Sequence, residues 1–147
     1  MRLDDAGLAA MYAHAEDGYP EEVCGWLSAA GVERCENELH ARTAYRFSAR
    51  DTMRLDASLR SDAPPWVVSH SHVDGSAHLS PEDVRGALAD GEPLWPVDRL
   101  VVEVRDGRAR GCRRYRWSSG SFVQIAARSG LFATVRPGDA SHRWTER

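Results

Sequence analysis

Two histidines one residue apart, His70 and His72, open the segment HSHVDGSAHLSPED (70–83), which ends with Ser80 and Asp83. On an extended chain alternate side chains point to the same side, so both imidazoles can reach one ion. Asp83 begins the next expected helix, after a loop long enough to fold back. Two histidines and one carboxylate make three protein ligands and leave a fourth tetrahedral position for water, the pattern of a catalytic rather than a structural zinc site. Zinc brings the pKa of such a water to about 7, and a nearby carboxylate can then take and pass on its proton. The candidate is Glu22, at the mouth of the first apolar run. Ser80 can donate a hydrogen bond to the oxyanion that forms as a carbonyl becomes tetrahedral.

The signal is specific only as a whole. With six histidines in 147 residues, H-x-H alone arises about 0.24 times by chance, and requiring serine and aspartate at the later positions lowers this to ~0.002. The pieces also have structural readings. Serine, proline and an acid at 80, 81 and 83 resemble a helix capping box, and the two histidines upstream are what favour a ligand. Glu22 alone would be one acid of an exposed Glu21-Glu22 turn. His78 reads as lining the groove or facing solvent, His14 and His40 as surface residues, and His142 as part of a tail. A Cys24–His70 nucleophilic pair is conceivable, but Cys24 lies in an apolar run that would not lower its pKa. H-E-x-x-H is absent, as is the H-x-E with P-C-x-x-C of zinc deaminases.

The elements that must position these residues follow from periodicity. Residues 4–17 read as an amphipathic helix, 23–30 as a buried strand and 32–36 as its hairpin partner. Residues 37–48 are ambiguous, with 43–47 alternating as a strand would. A second helix is expected over 49–62, stopped by Pro64 and Pro65. A short strand from Trp66 runs into His70 and His72, 73–79 has loop chemistry, and 80–91 reads as a helix with Gly91 near its end. Residues 99–117 form two alternating strands around Asp106-Gly107. Residues 122–127 fit a strand or a short helix, and from about 136 the chain reads as a tail. Together these predict one domain over 1–147, with about 118–147 as a C-terminal extension, built as an α/β or α+β layer fold.

Composition sets the outer limits. The net charge of −3 gives no basic field for nucleic acid. No apolar run is long enough to span a bilayer, and the N-terminus does not read as a signal peptide, so no membrane partner and a cytoplasmic location are expected. Cys24, Cys35 and Cys112 are odd in number and form no C-x-x-C pair, which disfavours a disulfide framework or a thiolate zinc site.

H-x-H, seven residues, then S-x-x-D resembles the signature of the JAMM, or MPN+, metalloproteases. PEEVCGWL (20–27) is similar to that family's first strand, where a glutamate stands two residues before Cys-Gly; by position that is Glu22, not Glu21. Residues 36–51 and the hairpin after LWPVDRL resemble compact bacterial members. The resemblance covers the N-terminus to about residue 117. It implies a three-layer α/β sandwich of the cytidine-deaminase-like kind, with a central mixed sheet flanked by helices. It also implies one Zn2+ per chain on His70, His72 and Asp83, with Glu22 and Ser80 as catalytic residues. The implied reaction cleaves a peptide or isopeptide bond after the Gly-Gly tail of a ubiquitin-like or sulfur-carrier protein. Val73 and Leu79 stand where the family often has proline, which bears on loop shape and not on the ligands. Two rivals remain at this level: a non-catalytic partner-binding MPN scaffold, and a metal-dependent hydrolase of a small amide.

Overall fold

A computed structural model describes residues 3–130 and 145–146. The first helix, α1 (Asp5–Gly18), starts where the Asp4 carboxylate accepts the Gly7 N–H at 2.7 Å. Strands β1 (Cys24–Ser28) and β2 (Gly31–Cys35) form an antiparallel hairpin, with Cys24 opposite Cys35. Helix α2 (Ala49–Ser58) is capped by Ser48, and β3 (Val67–Val73) follows. Then come α3 (Pro81–Ala87) and the small hairpin of β4 (Leu88–Ala89) and β5 (Glu92–Pro93). A meander of β6 (Asp98–Arg105), β7 (Arg108–Ser118) and β8 (Ser121–Ser129) follows, and β9 (Thr145–Glu146) pairs with β8.

Seven strands share one sheet in the order β2-β1-β3-β6-β7-β8-β9. Its pairs are antiparallel except β3 with β6. A parallel pair needs a crossover, and the stretch carrying α3 and the β4–β5 hairpin supplies it. The strand pleat sorts side chains between two cores. Leu27, Val67, Leu100, Val102 and Val104 pack on Leu8, Met11 and Tyr12 of α1. On the other face Cys24, Trp26 and Val68 pack with Phe47, Trp95 and Leu55 of α2. Helices on both faces of a mixed sheet make the expected three-layer α/β sandwich. Among the described residues no helix is long and apolar enough to cross a membrane.

Several local expectations change. The helix expected over 80–91 ends at Ala87, because Asp90 and Gly91 take φ values of 52° and 79°. Two successive positive φ values suit a two-residue hairpin turn, not a helix. Residues 43–47 form no strand; one bridge, Asn37 to Phe47, closes the segment. Residues 122–127 belong to β8. His14 is buried instead of exposed, and burial, reinforced by Arg34, pushes its pKa down to about 4. The tail expected from about residue 136 lies outside the described residues apart from Thr145–Glu146.

Gly25, next to Cys24, leaves no room for a side chain against β2. A Cβ there would lie 2.1 Å from the Glu33 carbonyl oxygen, a backbone atom that moves only with the strand. Gly25→Ala is expected to lower unfolding free energy by about 2–3 kcal/mol in denaturant titration. A variant as stable as wild type would mean that the hairpin has slack at this point.

Candidate metal centre

β3 lies inside the sheet between β1 and β6, so its backbone is held on both sides. Its alternation is visible in the contacts. Val67 joins the α1 core and the Ser69 hydroxyl faces Met11 Sδ of α1 at 4.0 Å, while Val68 joins the opposite core. His70 and His72 follow Val68 and share its face. Their Nε2 atoms are 3.2 Å apart. His70 is buried, with its ring stacked on Tyr45 at a centroid distance of 4.3 Å. His72 is half-buried, and its Nδ1 lies 2.6 Å from the Ser76 carbonyl oxygen. A carbonyl only accepts, so Nδ1 carries the proton of the neutral ring and Nε2 is left with its lone pair toward His70.

α3 brings the carboxylate. Asp83 is the third residue of the helix and closes a capping box: its N–H donates to Ser80 Oγ at 3.0 Å, and its Oδ2 accepts the Ser80 N–H at 2.9 Å. The same Oδ2 is 2.9 Å from His72 Nε2 and 3.2 Å from His70 Nε2. Burial pushes the Asp83 carboxyl up, but the two histidines and the Ser80 N–H hold it well below the usual carboxylate range. The cap reading of Asp83 is met, and the same carboxylate presents an oxygen to both histidines.

The three atoms form a triangle with sides of 2.9, 3.2 and 3.2 Å. Ligands at ~2.0–2.1 Å around a tetrahedral zinc would be about 3.3 Å apart, so this face fits a small divalent ion. Two imidazoles and a carboxylate are also a donor set that zinc accepts. Among the described residues this is the one group of three or more such side chains whose ligand atoms converge.

Glu22 comes to the same place through the neighbouring strand. The Val23 N–H donates to Ser71 Oγ at 2.9 Å, and the Ser71 N–H donates to the Val23 carbonyl at 3.0 Å. These bonds extend the β1–β3 register, in which Cys24 faces His70, and bring Glu22 alongside His72. Glu22 is 5% exposed, and its Oε2 is buried without a hydrogen-bond partner. Burial raises its pKa to about 7, with His72 opposing and Asp83 adding to the shift. A carboxyl poised near neutrality can both take and give a proton.

Sequence reading missed what holds Glu22. Its N–H donates to the Ala41 carbonyl at 2.8 Å, and Asn37 Nδ2 donates to the Glu22 carbonyl at 3.0 Å. Asn37 also donates to the Ala44 carbonyl and accepts the N–H groups of Leu39 and Arg46. The irregular segment 37–47 thus forms a collar around Glu22 and delivers Tyr45 to His70. Asn37 and Tyr45 carry no motif, and only an asparagine in a segment without regular pattern could have pointed there. Elsewhere, His78 is exposed, with Nδ1 2.9 Å from Ser76 Oγ. Asp74 fastens the end of β3, accepting from Tyr19, Arg42 and the Asp106 N–H. Burial raises the Cys24 thiol to about 12, which removes the case for a cysteine nucleophile.

The chain is similar to several known proteins. The chain is 29% identical over 123 residues to a CysO-cysteine peptidase of Mycobacterium tuberculosis and to one of Mycobacterium bovis, covering 78% of this chain and 81% of each relative. A solution structure of a Desulfitobacterium hafniense protein superposes with a TM-score of 0.66 at 19% identity, over 83% of this chain and 87% of that one. A Salinibacter ruber protein superposes with a TM-score of 0.58 at 24% identity, over 100% and 97%. At these identities the two structures speak for the fold. The family model for prokaryotic homologues of the JAB domain matches residues 4–118, the stretch that holds Glu22, His70, His72, Ser80 and Asp83, and the chain belongs to that family.

Proposed function

We propose that this chain is a cytoplasmic zinc-dependent hydrolase that cleaves a peptide or isopeptide bond after the Gly-Gly tail of a sulfur-carrier or ubiquitin-like protein. The observation that carries the reading is the convergence of His70, His72 and Asp83 within 2.9–3.2 Å, with the buried carboxylate of Glu22 beside them. The name of the mycobacterial relatives supports a carrier protein as the substrate class.

His70, His72 and Asp83 would hold one Zn2+. A bound zinc supplies Lewis acidity, acidifying water and polarising a carbonyl. Glu22 accepts a proton from water as the water oxygen bonds to the scissile carbon. It then returns that proton to the departing amine as the C–N bond breaks. Its unpartnered Oε2 is free for this exchange, and its pKa near 7 suits both halves of the cycle. Ser80 Oγ already accepts the Asp83 N–H, so its own hydrogen is left to donate to the carbonyl oxygen as negative charge develops there. A glycine before the scissile bond has no side chain to hold the carbonyl away from the site.

Glu22→Gln should retain zinc and lose turnover by about 10²–10⁴-fold, the usual weight of a general acid–base group. Metal analysis together with a cleavage assay reads both quantities, and loss of zinc from this variant would assign Glu22 another role. His70→Ala and Asp83→Ala are each expected to lose zinc and activity together; full metal occupancy in either would refute the ligand set. Ser80→Gly removes the hydroxyl while glycine remains a tolerable cap, so stability should fall by only a few tenths of a kcal/mol, roughly. Its kcat should fall by about 10²–10³-fold. An unchanged kcat would leave Ser80 as a cap alone.

A further inference from the structure

Asp74 stands immediately after β3 and takes no part in the donor triangle, yet its carboxylate gathers three parts of the chain. Oδ2 accepts the Tyr19 hydroxyl at 2.9 Å and Arg42 Nη2 at 3.1 Å, and Oδ1 accepts the Asp106 N–H at 2.9 Å. The Asp74 N–H donates to the Val104 carbonyl at 2.7 Å. Its φ is 53°, a conformation that aspartate and asparagine adopt more readily than most side chains. Val104 and Asp106 belong to β6 and the turn after it, so those bonds fix the end of β3 against its neighbour. Tyr19 and Arg42 lie elsewhere, and both border the Glu22 backbone.

Tyr19 sits in the turn that leads into Glu22, where the Glu21 N–H donates to the Gly18 carbonyl at 3.0 Å. Arg42 follows Ala41, whose carbonyl accepts the Glu22 N–H at 2.8 Å. One carboxylate thus ties the chain before Glu22, and the collar around it, to the residue two places beyond His72. On the C-terminal side of Glu22, Val23 is bonded to Ser71. β3 and its extension therefore hold the Glu22 segment before and after that residue, through Asp74 and through Ser71. The Oε2 of Glu22 is buried without a hydrogen-bond partner, so its place depends on the backbone that carries it.

Resting on the hydrolase reading above, we propose that Asp74 is a positioning residue for the reaction. By clamping Tyr19 and Arg42 to the end of β3, it holds the Glu22 carboxylate in register with His70, His72 and Asp83. Proton transfer demands such control. A general base works only within hydrogen-bond reach, roughly 2.6–3.2 Å, and a misplacement of about 1 Å can cost ~10²-fold in rate. The clamp itself is open to solvent: the Asp74 and Arg42 side chains are 34% and 58% exposed. An ion pair in that setting adds little to global stability. Its weight falls on local geometry, which separates it from a residue needed only for folding.

The test uses Asp74→Asn. Asparagine matches aspartate in shape and tolerates the same positive φ, but one of its two acceptor positions becomes a donor, so it cannot serve both Asp106 and Arg42. Turnover of N-acetyl-Ala-Gly-Gly-Ala, zinc content and amide hydrogen exchange are read on the zinc-loaded full chain. kcat is expected to fall about ten-fold, with zinc retained and KM changed by less than about two-fold. Exchange at the Glu22 N–H should quicken by about ten-fold while amides inside α1 exchange as in wild type. In the Glu22→Gln background the same change should cost nothing further, because a residue acting through Glu22 then has nothing left to position. Tyr19→Phe and Arg42→Gln each remove one arm and should each give part of the loss, which decides the matter if Asp74→Asn does not fold. An unchanged kcat, an equal loss in the Glu22→Gln background, or loss of zinc would overturn the assignment. No turnover by wild type, with Glu22 exchange still quickened in Asp74→Asn, would sink the hydrolase reading and keep the clamp. Full turnover by all three clamp variants would do the reverse.

Discussion

Three electron-pair donors held 2.9–3.2 Å apart oppose one another unless a positive charge sits among them. That convergence is the constraint on which the rest of the structure depends. It is imposed by backbone, not by chance side-chain rotamers. β3 is clamped by the antiparallel ladder to β1 and the parallel ladder to β6, and its pleat gives His70 and His72 no choice of face. Between them the fully buried Ser71 turns to the opposite side and ties β3 to Val23. A one-residue slip of β3 would turn both imidazoles into the α1 core, so the register and the centre stand or fall together. Rigid elements carrying the three donor side chains would keep the reorganisation needed to bind an ion small.

The second demand is a carboxylate buried beside this centre. Burying Glu22 with an unpartnered oxygen costs about 1–3 kcal/mol relative to a satisfied group. The fold offsets it through the backbone. Both the N–H and the carbonyl of Glu22 are bonded by the collar, and Asn37 within that collar uses both its donors and its acceptor. A segment without helix or strand thereby fixes the position of a single side chain. The same segment places Tyr45 over His70, where the stacked ring limits how that imidazole can turn.

What could be read beforehand was local. H-x-H on an expected strand, followed by S-x-x-D at an expected helix start, put four of the five candidate residues on their observed elements. Asp106-Gly107 was legible as a turn because clear alternation flanks it on both sides. Asp90-Gly91 has the same chemistry and the same positive φ values, yet its flanking strands are two residues each and leave no periodic trace. The parallel pairing of β3 with β6 joins segments some thirty residues apart, so no short-range pattern announces it. His14 looked like a surface residue because a polar type on an amphipathic helix usually is. The illegible parts of the candidate site, Asn37 and Tyr45, gain their meaning only from neighbours elsewhere in the chain, the backbone of Glu22 and the ring of His70.

Asp83 shows why the spacing is so specific. An aspartate three residues after a serine is a common helix opening, and here it is one: Ser80 and Asp83 exchange both bonds of a capping box. The oxygen that accepts the Ser80 N–H is also the oxygen facing both histidines. That hydrogen bond draws Oδ2 to one position and favours its ionised form, the form a metal requires. Starting α3 and completing the donor triangle are thus one event. Moving the serine or the aspartate by one residue would break both at once. The helix cap therefore belongs to the centre's second layer of support, and the stability of α3 sets how firmly the carboxylate is held toward the two imidazoles.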